Sequence, residues 1–257
     1  METRFYNLIA VLLLGIFFLL SFSGLRFTSL TSNEAAQIVS GYSYLKLHDY
    51  RLDIAQPPLA KDLSAAGILG ANFPYQNAAW QSEKPISYDE TREIGNQFFY
   101  QSGNNPENLA NASRLPSVFL AVLLGIAIYI FISRNFGYKI ALIALFFYCF
   151  DPNILAHSRL ANGDIVASLG ALLSIALWLR FLKNPTKPNV LWAGLGLGIA
   201  LCCNFFLVIL IPYFLVLAWF SAKISKKPFY FYLPKTLLAF AYCLFLFVLP
   251  CYYFHSI

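Results

Sequence analysis

Four short clusters carry side chains of the kinds that move protons or hold charge. Asn33-Glu34 sets a carboxylate beside an amide; the same pair also suits a helix start, with a capping residue and a first-turn acid that complements the helix dipole. Gln56-Pro57-Pro58-Leu59-Ala60-Lys61 brings an ammonium close to a rigid dipeptide, and it too can open a helix, with Lys61 snorkelling to lipid headgroups. His157-Ser158-Arg159-Leu160-Ala161-Asn162-Gly163-Asp164 packs an imidazole, a guanidinium and a carboxylate into eight residues. Its plain reading is a salt bridge from Arg159 to Asp151 or Asp164 that fixes a loop, and its chemical reading is a charged site at a membrane surface. Arg114, just before Leu115-Pro116, either joins such a site or anchors a helix at the interface.

The elements that position these clusters are set by composition. The chain is 59% hydrophobic, 18% aromatic and only 12% charged, far from the roughly one-quarter charged residues of soluble domains. This is an integral membrane protein. A net charge of +6 invites a nucleic-acid partner, but the 18 Lys and Arg are scattered among apolar runs and form no basic face, which argues against that class. The cysteines Cys149, Cys202, Cys203, Cys243 and Cys251 lie in or beside apolar segments without a metal-ligand spacing, so neither a disulfide nor a zinc site is expected.

The first apolar run lacks a small-x-small cleavage site and more runs follow it, so it reads as an uncleaved first helix. About 20 helical residues cross the hydrocarbon core. Seven spans are expected near 7–23, 115–133, 138–156, 164–182, 189–203, 206–222 and 235–253, forming a single membrane domain over 1–257. The third reaches span length only by passing Asp151-Pro152. The run 190–222 is long for one helix and short for two, and charge decides it. With a turn near Cys203-Asn204, ten of the eleven Lys and Arg outside the first loop fall on the N-terminal side, Arg159 being the exception. The N-terminus is therefore expected in the cytoplasm and the C-terminus outside, with 24–114 a large extracytoplasmic loop holding nine acidic residues against seven Lys and Arg.

Within that loop Ala35, Ile38, Val39, Tyr42 and Leu45 recur at helical spacing after Ser32 or Asn33 as cap, predicting an amphipathic helix on the membrane surface. The segment 49–55 turns the chain. Pro57-Pro58 starts a second helix with Leu59, Leu63, Ala66 and Leu69 as its apolar face, and a third is expected near 88–100.

Together the clusters resemble the dolichyl-phosphate-mannose:protein mannosyltransferase family and its bacterial relatives. The resemblance rests on Asn33-Glu34 through Gly41-Tyr42-Ser43-Tyr44-Leu45, His48-Asp49-Tyr50-Arg51-Leu52 and the Gln56 to Lys61 cluster. It continues in order through Arg114-Leu115-Pro116-Ser117, Phe136-Gly137 and Asp151-Pro152-Asn153-Ile154-Leu155-Ala156-His157-Ser158-Arg159 to Asp164. It implies an all-α membrane module of the GT-C type, with about seven helices and surface helices in a large first loop. It also implies transfer of a mannose-like sugar from a polyprenyl-phosphate donor to a hydroxyl acceptor on the extracytoplasmic face, inverting, with a carboxylate as general base.

By the same resemblance, the acidic pair aligns with Asn33-Glu34. Asn33 replaces the aspartate that usually leads it and cannot accept a proton at pH 7, so Glu34 takes the role or the protein is inactive. Arg159 and Lys61, assisted by His157, are implied to hold the donor phosphate, and Asp164 to orient Arg159 or the acceptor. Gln56 and Arg114 are implied to position the acceptor or the loop. Gln37 and Gln56 stand where histidines are common, and Cys203-Asn204 where a lysine is common. No metal site is expected from the residues, and a metal requirement stays open. Membrane lipid and the lipid-linked sugar are the expected partners, with an unidentified protein or glycolipid acceptor and room for a partner subunit. The location implied is a bacterial plasma (inner) membrane. Family members commonly continue through further spans, so the alternative is a shortened, non-catalytic relative that binds polyprenyl-phosphate lipid or assists another transferase.

Overall fold

A computed structural model describes residues 2–82, 84, 86–226 and 228–249; positions 250–253 of the expected seventh span, with Cys251, and Glu83 and Lys227 lie outside the described residues. Among the described residues every regular element is helical. In chain order the helices are α1 (Glu2–Gly24), α2 (Ser32–Tyr42), α3 (Leu59–Ala65), α4 (Ala78–Gln81), α5 (Tyr88–Tyr100), α6 (Pro106–Phe136), α7 (Tyr138–Phe150), α8 (Pro152–His157), α9 (Asp164–Lys183), α10 (Lys187–Cys203), α11 (Leu210–Ile224) and α12 (Leu233–Cys243). The chain divides into two compact units, Met1–Val166 and Ala167–Ile257.

Four helical stretches are long and apolar enough to cross a membrane: Glu2–Phe27, Pro106–Phe136, Asp164–Lys183 and Phe205–Ile224. Three shorter apolar helices, Tyr138–Phe150, Lys187–Cys203 and Leu233–Leu246, stand where the remaining spans are expected. Leu8, Val11, Leu12 and Leu19 of α1 are all more than half exposed. A helix that turns most of its leucines outward is stable in lipid and not in water.

In the first unit α1, α6 and α7 pack together. Phe17 lies 5.3 Å from the Tyr148 ring, the Tyr148 hydroxyl donates to the Ala121 carbonyl at 2.6 Å, and the Tyr129 hydroxyl donates to Asn7 Oδ1 at 2.9 Å. The third expected span is broken: α7 stops at Phe150, and Asp151 Oδ1 accepts from the Ile154 backbone N–H at 2.9 Å to start α8. The large loop ends earlier than expected, because Asn105 caps α6 and Pro106 opens it. Arg114 is therefore two turns inside that helix. At about 46 Å, α6 exceeds the hydrocarbon thickness and projects its first turns beyond it.

The loop helices form their own core. Ala35, Ile38, Val39 and Tyr42 of α2 are buried against Leu52, Ile94, Phe98 and Phe99. This corrects the expectation of a helix lying flat on the membrane: α2 is the centre of the loop. The reason is its small residues. A Cβ at Gly41 would lie 2.0 Å from the Lys61 carbonyl oxygen, and one at Gly95 of α5 would lie 2.7 Å from that of Ala35, so α3 and α5 each approach α2 backbone to backbone. For the same reason the buried face of α3 is Ala60, Lys61, Ser64 and Ala65, with Ile68 beyond it, while Leu59, Leu63 and Leu69 are half-buried and Ala66 is exposed. The cap is Thr31, one or two positions before the expected Ser32 or Asn33.

In the second unit Trp178 is fully buried, stacked 4.3 Å from Phe214 and 5.7 Å from Phe240, which joins α9, α11 and α12. The long apolar run does break where charge placed the turn. Asn204 is extended, and its side chain accepts from the Phe206 N–H at 2.9 Å to begin a new helical stretch.

Candidate active site

Glu34 ties the first loop to the 157–164 segment. Thr31-Ser32-Asn33-Glu34 forms a capping box, in which the Thr31 hydroxyl accepts from the Glu34 N–H and the Glu34 carboxylate accepts from the Thr31 N–H at 3.0 Å. The same carboxylate takes a two-pronged bond from Arg114, Nε to Oε1 at 2.8 Å and Nη2 to Oε2 at 2.9 Å, and accepts the Ala161 N–H at 2.9 Å. Each oxygen thus receives two donors. Arg114 also donates from Nη1 to the Thr28 carbonyl and from Nη2 to the Ser29 carbonyl. Both side chains are buried, 0% and 1% exposed. Burial works against the charge on Glu34, but the Arg114 guanidinium and the Thr31 and Ala161 amides outweigh it and hold the carboxyl below its ordinary value.

This bond docks the His157–Asp164 segment, and two further contacts fix it. The Ser158 hydroxyl donates to Ser21 of α1 at 2.9 Å. The Arg159 guanidinium lies against Gly24 at the end of α1, where the glycine leaves it space that a side chain would share. The salt bridge expected for Arg159 does not form. Asp151 caps α8 and Asp164 faces His157, and Arg159 has no carboxylate partner among the described residues. Its Nε is buried without a hydrogen bond among them.

At the rim of the same segment His157 Nδ1 approaches Asp164 Oδ2 at 2.7 Å, with both side chains about half exposed. A carboxylate only accepts, so the proton between them sits on Nδ1, and in the tautomer that carries it there the lone pair is on Nε2. Asn162 Nδ2 donates to the same Asp164 Oδ2 at 2.8 Å, which holds the carboxylate beside the ring. Asn33 is exposed, and its Oδ1 accepts the Tyr88 hydroxyl at 3.1 Å.

Lys61 stands apart from these groups. It is 2% exposed and 3.0 Å from Asp53 Oδ2, and it donates to the carbonyls of Asp53 and Gln56 and to the Tyr44 hydroxyl. The lysine expected to snorkel or to face a phosphate instead braces the 49–61 turn from inside. Desolvation pulls its ammonium below the ordinary value against the opposing pull of Asp53. His48 and Asp53 both adopt left-handed backbone, φ 54° and 46°, to make that turn. The Gln56 side chain is exposed, and Gln37 is half-buried. Among the groups that sequence reasoning passed over, Thr31 has a readable signal in the Thr-x-x-Glu spacing. Tyr88, Gly24, Ser21 and the Ala161 amide have none.

The family model described as dolichyl-phosphate-mannose-protein mannosyltransferase matches residues 107–251, more than half of the chain. That stretch contains Arg114 and the whole 157–164 segment. No curated protein and no solved structure matches.

Proposed function

The chain belongs to the dolichyl-phosphate-mannose-protein mannosyltransferase family, a group of membrane glycosyltransferases, and from that premise we propose that it moves a mannose-like sugar from a polyprenyl-phosphate donor to an acceptor hydroxyl with inversion. The acceptor oxygen bonds to the sugar carbon as the carbon–phosphate oxygen bond breaks. The phosphate leaves with the electron pair, and the hydroxyl proton goes to a base.

The observation that carries this reading is Arg159. A guanidinium held against the end of a spanning helix, without a carboxylate partner among the described residues, suits a lipid-borne phosphate that must be stabilised as it departs. The base is assigned to the His157–Asp164 pair: Nε2 takes the hydroxyl proton, and Asp164 orients the ring and balances the charge it gains. Glu34, already receiving four donors, balances the buried charge of Arg114 and fastens the segment that carries these groups. Lys61 holds the loop, while exposed Gln56 and Asn33 are left to meet the acceptor. The charge distribution supports seven spans in one membrane domain, with the N-terminus cytoplasmic and the C-terminus and active site outside a plasma membrane.

The test is purified protein in lipid nanodiscs with radiolabelled polyprenyl-phosphate-mannose and a membrane extract as acceptor source. Label should move to an extract component, and Arg159→Ala should abolish that transfer while the chain stays folded. Saturable donor binding without any transfer would favour the non-catalytic alternative, and undiminished transfer by Arg159→Ala would remove Arg159 from the mechanism.

A further inference from the structure

A concave surface lies on the face of α5 turned away from α2. Helix α5 buries Thr91, Ile94, Gly95, Phe98 and Phe99. Its other stripe, with Glu93, Gln97 and Gln101, lines a cavity of about 940 Å³ together with Tyr75 and Asn77. None of these side chains belongs to the Glu34, Arg159 or His157 groups.

The lining is organised before any ligand arrives. Asn77 Oδ1 accepts the N–H groups of Ala79 and Trp80 at 2.9 and 3.1 Å, which fixes the amide. Asn77 Nδ2 then donates to Gln97 Oε1 at 3.0 Å, and Gln97 Nε2 donates to Glu93 Oε1 at 3.3 Å. The result is a chain of planar groups that offers donors and acceptors side by side. Tyr75 is 53% exposed, and its ring is set edge-on to Phe73 with centroids 5.1 Å apart. That contact leaves part of the aromatic surface uncovered.

Each of these features selects a ligand class. Hydroxyl groups both donate and accept, and paired amides and carboxylates satisfy them in both roles. An exposed aromatic face packs against the C–H face of a pyranose ring. Glu90 and Glu93 outnumber the single Lys84 in the lining, which disfavours phosphates and other anions. The volume is near the upper end of the ordinary range of roughly 300–1,000 Å³ for small-molecule sites, enough for more than one sugar ring. We propose that this groove binds a neutral carbohydrate at a site separate from the one that transfers sugar, either as a free saccharide or as the glycan already present on an acceptor.

The proposal rests on binding alone and stands or falls apart from the transfer reading. The full chain, in a detergent without sugar headgroups, is titrated with neutral mono-, di- and trisaccharides of mannose, glucose and N-acetylglucosamine, followed by saturation-transfer NMR. At least one should bind saturably, with affinity lowered about tenfold by Tyr75→Ala and similarly by Gln97→Ala, and unchanged in Arg159→Ala. Tyr75 is on the surface, so its variant tests the site even where Gln97→Ala disturbs the loop. Saturable binding by none of the saccharides would overturn the proposal. Binding that survives both groove variants but is lost in Arg159→Ala would also overturn it, assigning the sugar to the donor site. A preference for trisaccharides over mannose would identify an acceptor glycan, and equal affinity for mannose would identify free sugar.

Discussion

Two acid–base pairs meet the same short stretch of chain, Glu34 with Arg114 at the Ala161 amide and His157 with Asp164 within the stretch itself. They have opposite characters. Glu34 and Arg114 are sealed from solvent, and every carboxylate oxygen and guanidinium nitrogen has a partner. His157 and Asp164 are about half exposed, and the imidazole keeps a nitrogen for a ligand. A fully bonded buried pair has little capacity to exchange protons and a large capacity to hold segments together. A half-exposed pair has the reverse. The resemblance of Asn33-Glu34 to an acidic pair pointed to Glu34 as the base; in the structure that carboxylate fastens the segment, which is why we propose the other pair for the proton transfer.

The sharpest way to break this comparison is to remove one half of the buried pair. Glu34→Gln leaves Arg114 charged, buried and short of its counter-ion, which costs about 3–5 kcal/mol. Denaturant unfolding should show that loss, and Glu34→Gln/Arg114→Met should recover part of it. A Glu34→Gln variant of unchanged stability but without transfer would restore Glu34 to the chemistry. The next effect belongs to the exposed pair. His157→Ala should lower turnover by roughly a hundredfold to ten-thousandfold with unfolding unchanged, and Asp164→Asn should lower kcat without weakening donor binding. A His157→Ala variant of full turnover would leave the proton acceptor to be sought elsewhere.

Much of the framework was legible because it depends on local composition. The seven apolar segments, the break at Asn204 and the limits of α5 follow from hydropathy, charge sorting and caps, whereas the third span is expected to run through Asp151-Pro152 and its helix stops at Phe150. The loop was less legible because apolar periodicity counts large residues, whereas α2 and α3 meet through Gly41 and the Lys61 backbone. The leucines of α3 were therefore placed inside, where the structure has Ala60, Ser64 and Ala65. The 157–164 cluster could be picked out by its residue types. What it bonds to could not, since the contacts of Ser158 with Ser21 and of Ala161 with Glu34 join residues more than a hundred positions apart. A lysine after Pro-Pro looks like a surface anchor until the left-handed turn at Asp53 brings a carboxylate over it.

Asp62 gives the smallest and most direct test of why the two pairs differ, because it is an acid in the same loop whose shift runs opposite to that of Glu34. Burial pushes its carboxyl up to about 6, and the attraction of neighbouring Lys61 does not reverse this. At Glu34 the bonded donors do reverse it. The two acids therefore impose opposite slopes on stability against pH. For Glu34, with a lowered folded value, stability is present above the ordinary carboxylate range and is lost as pH falls through the folded value. For Asp62 the folded chain keeps a proton that the unfolded chain releases near 3.8, so stability falls as pH rises from there to about 6 and then levels off. Asp62→Asn removes only the second slope. Its melting midpoint should match that of the unaltered chain near pH 4 and exceed it by a few degrees above pH 6. A difference that does not change with pH would show that burial does not control this carboxyl, and would weaken the argument that bonded donors, more than burial, separate the Glu34 pair from the His157 pair.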